Sequence, residues 1–203
     1  MTESAPTTDL RLIKGARTRA TIARHAVDVA SVEGLTGLSI GRLATDLGLS
    51  KSGVATLFGT KENLQVAAVD AAREVFIERV VRPALREPAG MSRLRVLIDR
   101  WLDYATEPAF PGGCFRAATI PEFDSRPGPV RDALTRDRRD WLELLAREFL
   151  HAQQAGAAAP GLDPDEVAFE IDAVLSAANT ALRLDDARAV PTARAIVDRI
   201  LGT

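Results

Sequence analysis

LATDLGLSKSGVATLFGTKENL, running from Leu43 to Leu64, is the stretch whose reading decides the fold. Just before it, Ser39 is a good helix N-cap. Ile40, Leu43, Ala44 and Leu47 then repeat at i, i+3, i+4 and i+7, the spacing of one helical face. Gly48 suits the left-handed position just past a helix C-terminus, and Ser50 can cap a second helix that buries Val54, Leu57 and Phe58. Gly59 stops that helix, and Thr60 opens another with Asn63 at its third position. Two short amphipathic helices joined by a glycine turn are what a helix-turn-helix requires. An ordinary corner inside a helical bundle has the same spacing, so periodicity alone leaves both readings open.

Working outward, Ile22, Ala23, Ala26, Val27 and Ala30 share a face in a helix expected from near Arg17 to Gly34. Residues 1–10 show no periodicity and read as a mobile tail. After Thr60 a long helix carries Leu64, Ala68, Val69, Ala72 and Phe76, and is expected to end or kink near Pro83. Helices are expected over Met91–Glu107, Cys114–Phe123, Val130–Gln154, Asp163–Leu184 and Pro191–Leu201, separated by glycine and proline clusters. No strand-like alternation and no fixed-period repeat interrupts them. The fold class is all-α with about nine helices.

The 203 residues are 46% hydrophobic and 27% charged, a globular balance. No apolar run reaches membrane-spanning length, and the start has no signal-peptide pattern. A lone Cys114 suits a reducing compartment, so a cytoplasmic location is expected. Net charge is only -2, but its distribution is uneven. Between Arg11 and Lys61 stand Arg11, Lys14, Arg17, Arg19, Arg24, Arg42, Lys51 and Lys61 against Asp28, Glu33 and Asp46. One basic end on an acidic body is expected where only that end meets phosphate. With His25 and His151 the only histidines, and no nucleophile, phosphate-loop or metal-ligand pattern, neither enzyme activity nor a metal or cofactor is expected.

The order of residues goes further than their spacing. Leu43-Ala44 before the turn, Gly48, Ser50-Lys51, Phe58 and Lys61-Glu62-Asn63-Leu64 resemble the TetR family of transcriptional regulators over about Arg17–Phe76. The resemblance implies a flexible basic arm over 1–15 and a helix-turn-helix domain over 16–76 with its motif at 39–58. It places a ligand-sensing and dimerisation domain over 77–203. It also implies a repressor that binds duplex DNA as a homodimer and is released by a small molecule. In the first domain, Ser39 and Ser50 offer helix N-termini to phosphate, and Lys14, Arg17, Arg42, Lys51 and Lys61 supply cations. Ser52, Gly53, Ala55 and Thr56 would face base edges. Many members carry aromatic residues where this chain has Ala55 and Leu57. Sequence readout here would then rest on few contacts, DNA shape or water.

For the second domain, Trp101, Tyr104, Phe110, Cys114, Phe115, Phe123 and Trp141 are the candidate effector pocket, since ligand sites are mostly apolar with a few polar groups. Cys114 follows two glycines at a helix start, where a thiol's pKa is expected to fall, and so is a candidate reactive sensor; simple core burial is the competing reading. Ile171, Val174, Leu175, Ala178, Leu182, Ile196, Val197 and Ile200 form apolar faces suited to pairing about a two-fold axis. The alternative to a regulator is a helical ligand-binding or interaction protein that has lost DNA binding.

Overall fold

The computed structural model describes residues 7–202, with side chains described from Leu12 onward. Nine α-helices and no strand occur among the described residues. They are α1 (Thr7–Glu33), α2 (Ile40–Asp46), α3 (Lys51–Phe58), α4 (Lys61–Phe76, extended to Ala84), α5 (Met91–Thr106), α6 (Phe115–Phe123), α7 (Pro129–Gln154), α8 (Pro164–Arg183) and α9 (Ala189–Leu201). Helix α1 begins well before the expected Arg17, so residues 7–15 are helical; residues 1–6 of the expected arm lie outside the described residues.

Local chemistry sets the boundaries of the head. The Ser39, Ser50 and Thr60 hydroxyls accept from the backbone N–H of Arg42, Gly53 and Asn63, each at 3.1 Å. Each thereby satisfies one of the amides left over at a helix start. Gly48 and Gly59 take φ of +64° and +72°, values that glycine adopts without strain. After Gly48 the Leu49 N–H reaches back to Ala44 O at 2.8 Å, closing α2.

Helix α4 does not stop at Phe76. It widens into a π-helical stretch, Ile77–Val81, and ends with one turn, Arg82–Ala84. Pro83 brings no N–H and crowds the carbonyl four residues earlier, and the wider turn around that carbonyl accommodates both.

Packing joins the two halves. Helix α1 lies on α4 and α6, α4 on α7, α7 on α8, and α8 on α9. One buried cluster runs from Ile22 and Val27 of α1 through Leu64 and Phe76 of α4 to Leu145 of α7 and Ile171 of α8. Glu148 is a charge inside this core, with no exposed side-chain surface. Its carboxylate accepts from Gly90 N–H at 3.0 Å and from Arg93 at 3.3 Å, which caps the start of α5. Burial alone would raise its pKa, but the Gly90 amide and the Arg93 charge outweigh that and hold it below the ordinary value.

Candidate nucleic-acid interface and sensor region

On the head, α3 buries Val54 and Phe58 and turns Lys51, Ser52, Gly53 and Thr56 to solvent. Ala55 is half-buried. Gly53 serves the local structure first, because a Cβ there would sit 2.9 Å from the Ser50 hydroxyl that caps the helix. The Thr56 hydroxyl donates to Ser52 O at 2.9 Å, so only its lone pairs and methyl face outward.

The cations divide into two groups. Lys14, Arg17 and Lys51 are exposed and make no ion pair among the described residues. Arg42 is instead hydrogen-bonded to Glu33 and lies 3.6 Å from Asp46, which also meets His25 at 3.0 Å. Lys61 donates to Thr36 O at 2.6 Å. Arg42 and Lys61 brace the head in this state, a role their sequence context did not suggest.

In the second half, Phe76 meets Tyr104 edge-on at 5.6 Å and Trp141 at 5.2 Å, and Tyr104, Phe110 and Phe115 continue the chain of rings. Trp101 is buried nearby in α5. The Arg116 guanidinium lies 4.3 Å over the Phe76 ring and pairs with Asp137 at 2.9 Å. The space left beside Tyr104, Cys114 and Phe115 is about 10 Å³. The expected pocket is therefore closed in this conformation, its rings filling one another's space. Phe123 is separate from it and lines an open groove of about 610 Å³ on the far side of α6. Sequence reasoning missed that groove because its floor is a second stripe of α7 that alternates apolar and charged residues.

Cys114 corrects an expectation. Its N–H donates to Asn179 Oδ1 at 3.1 Å, and its thiol is buried. Burial raises the thiol pKa despite Arg116 and the helix-start amides, so the site does not favour a thiolate. Burial likewise pushes the Tyr104 hydroxyl well above its ordinary value and keeps it neutral.

Residues 90–197 match the tetracyclin repressor-like C-terminal domain, more than half of the chain. The chain belongs to the TetR family. A TetR regulator from Chloroflexus aurantiacus is 26% identical with a TM-score of 0.86, over 94% of this chain and 96% of that one. A TetR-family regulator from Cytophaga hutchinsonii is 21% identical with a TM-score of 0.80, over 93% and 95%. AibR, solved with isovaleryl coenzyme A and operator DNA, is 18% identical with a TM-score of 0.69, over 90% and 98%. The last two show a shared fold. No curated protein sequence matches the chain. Among the described residues no helix is long and apolar enough to cross a membrane, and no cluster suits a metal.

This TetR protein ties its head to its body through contacts that no motif announced. Glu122 of α6 accepts from Leu35 N–H at 2.9 Å, Thr36 N–H at 3.1 Å and the Thr36 hydroxyl at 2.7 Å. Gly34, with φ +78°, leaves room for that carboxylate, since a Cβ there would overlap it. Gly112 N–H donates to the Ser31 hydroxyl at 3.0 Å, and a Cβ on Gly112 would overlap the Ser31 carbonyl. Arg24 donates to Ala109 O at 3.1 Å and lies 4.6 Å over Phe110.

The expected pairing faces are half corrected. Ile171, Leu175, Ala178 and Val197 point into the chain's own core. Val174, Ile196 and Ile200 are half-buried on the outer side, beside exposed Ala173, Ala177 and Phe169, while Leu182 is half-buried on the core stripe. Three of the eight residues thus remain on a surface that another chain can reach.

Proposed function

We propose that this TetR protein is a repressor that binds a palindromic operator as a homodimer and leaves it when a small apolar effector occupies the C-terminal half. One observation carries the reading: the outer edge of α3, from Lys51 to Thr56, is exposed and flanked by exposed cations. Such a helix edge fits the major groove, with Ser39, Ser50 and the cations Lys14, Arg17 and Lys51 meeting phosphate. Ser52, Gly53, Ala55 and Thr56 face the bases. Arg42 and Lys61 join the phosphate contacts only by leaving Glu33 and Thr36. On this reading the head spans 16–76 and the sensing and pairing half spans 77–203.

A dimer is needed because one short helix reads few bases, whereas two heads about 34–36 Å apart engage successive grooves. The outer α8/α9 surface, with Val174, Ile196 and Ile200, is the pairing face. AibR, a protein of this fold, was solved with operator DNA and an acyl coenzyme A together, which supports a regulator that holds both kinds of partner. The burial of Cys114 favours a non-covalent effector over a reactive one.

The test is a gel shift against the duplex upstream of the protein's own reading frame, with sedimentation of the free protein. Retardation that weakens steeply with salt, and a dimer that Val174→Glu with Ile196→Glu converts to monomer, are expected. A monomer indifferent to every duplex at low salt overturns the reading and leaves a ligand-binding helical protein.

A further inference from the structure

Arg42 stands third in α2, and its own N–H is the one that the Ser39 hydroxyl accepts. It therefore lies beside Ser39, which the regulator reading sets against phosphate. Helix α3 adjoins the same corner: the Lys51 stem passes 3.9 Å from where a Cβ on Gly41 would stand. Lys51 is exposed and makes no ion pair among the described residues. The Arg42 guanidinium, one helix away, is instead hydrogen-bonded to Glu33, and its Nε lies 3.6 Å from Asp46.

Glu33 is placed for this contact rather than for its own helix. It is the last residue of α1, the end at which the helix dipole disfavours a carboxylate. Its side chain passes along the backbone of Gly37, where a Cβ would stand 3.1 Å from the Glu33 Cβ and 3.7 Å from its carboxylate. Glu33, ahead of Asp46, raises the Arg42 pKa above its ordinary value. Asp46 is the lesser holder, because His25 shares it at 3.0 Å. The side chains of Arg42 and Glu33 are 43% and 41% exposed, so the pair stands in water. Exposed pairs of this kind contribute little to stability and open easily. The effect of such a pair is felt where one partner has a second use.

A phosphate group and Glu33 compete for one guanidinium, since both are oxyanions that accept from its fork of N–H donors. We propose that Glu33 tethers Arg42 away from DNA in the free protein and so holds the affinity for duplex below what the exposed cations and Arg42 together would give. On binding, the Arg42–Glu33 contact is exchanged for an Arg42–phosphate contact. The freed carboxylate gathers a cation from solution as the DNA gives one up, so the exchange adds almost nothing to the salt dependence. Lys51, which leaves no carboxylate behind, releases its counterion outright. Glu33 is thus a positioning residue that acts through Arg42. The inference rests on the DNA-binding reading and names the residue that limits it.

The test is fluorescence anisotropy of a labelled, mixed-sequence duplex titrated with the full chain over a series of salt concentrations. The phosphate contribution is independent of sequence, so no operator is needed. Glu33→Gln, at an exposed position, should bind roughly three- to fivefold tighter at low salt, with a salt slope steeper by about one counterion. Asp46→Asn should gain less. Glu62→Gln removes another exposed head carboxylate, one paired with no cation among the described residues, and so measures the general effect of one lost negative charge. The Glu33→Gln gain should exceed it by at least about twofold. In an Arg42→Gln background, Glu33→Gln should gain no more than Glu62→Gln does. The tether is overturned by equal gains from Glu33→Gln and Glu62→Gln, by an unchanged slope, by a larger gain from Asp46→Asn, or by an undiminished gain once Arg42 is gone. Any of these beside clear wild-type binding overturns the tether alone. A wild type that binds no duplex at low salt overturns the DNA-binding reading and the tether with it.

Discussion

Replacing Glu122 with alanine removes the acceptor of three hydrogen bonds that join α6 to the turn at Leu35–Gly37. Hydrogen bonds to a charged group contribute about 1.5–3 kcal/mol each, but they do not add where water can replace the partner. Thr36 is exposed, so water takes over its N–H and hydroxyl; Leu35 is buried, and its N–H is left poorly satisfied. The expected loss is therefore about 2–3 kcal/mol rather than the sum of three bonds. Glu122→Gln keeps one accepting oxygen and should cost about 1 kcal/mol. Urea titration followed by circular dichroism, at fixed protein concentration because a dimer's midpoint depends on it, reads this as a midpoint shift of about 1 M. Thr36→Val combined with Glu122→Ala closes a double-mutant cycle. A Glu122→Ala midpoint within about 0.3 M of wild type, or strictly additive single effects, would refute the claim that this carboxylate fastens the head.

Three further outcomes follow from the geometry. Lys51→Ala should weaken binding to every duplex sequence and lower the salt-dependence slope by about one counterion; an unchanged slope would mean that Lys51 touches no phosphate. Glu148→Gln should destabilise the protein by about 2 kcal/mol near neutral pH, where the buried carboxylate is ionised and bonded to Gly90 and Arg93. Its pKa is depressed below the ordinary 4.5, so its contribution is full above that pH and fades as pH falls through the lower folded value. The gap between wild type and variant in denaturant melts should close on the acid side, and a gap independent of pH sinks the assignment. Cys114 should react with an aromatic disulfide reagent at least about a hundredfold more slowly in the native protein than in urea, as a buried, protonated thiol must. Rapid labelling of the folded chain would contradict its placement.

The head was legible in the sequence because its signals are local. A serine or threonine cap acts on an amide three residues away, and Gly48 and Gly59 mark their own backbone conformation. The start of α1 was missed because residues 7–16 lack an apolar stripe, yet continue a helix already nucleated downstream. Periodicity along α8 and α9 identified apolar residues without telling how far round each helix the core extends, so buried Ile171 and half-buried Val174 were grouped. Composition gathered Trp101, Tyr104, Phe110, Phe115 and Trp141 as a candidate pocket, and the structure buries them together. It gave no information on whether space remained between them. Glu122, Gly34, Gly112 and Ser31 were invisible for a different reason: each matters through a neighbour some eighty residues away, and nothing in a single chain marks such pairs.

The Gly112 contact with Ser31 bears on how this protein can be rebuilt. Regulators of two halves invite grafting, with one protein's reading head set on another's sensor. Here the seam is not a linker but a fitted joint: a backbone laid so close to Ser31 that no side chain is admitted, and a carboxylate seated where Gly34 lacks one. A transplant that cuts between Phe76 and Met91 without carrying across the matching 109–122 segment would lose these contacts and open the core that the two halves share.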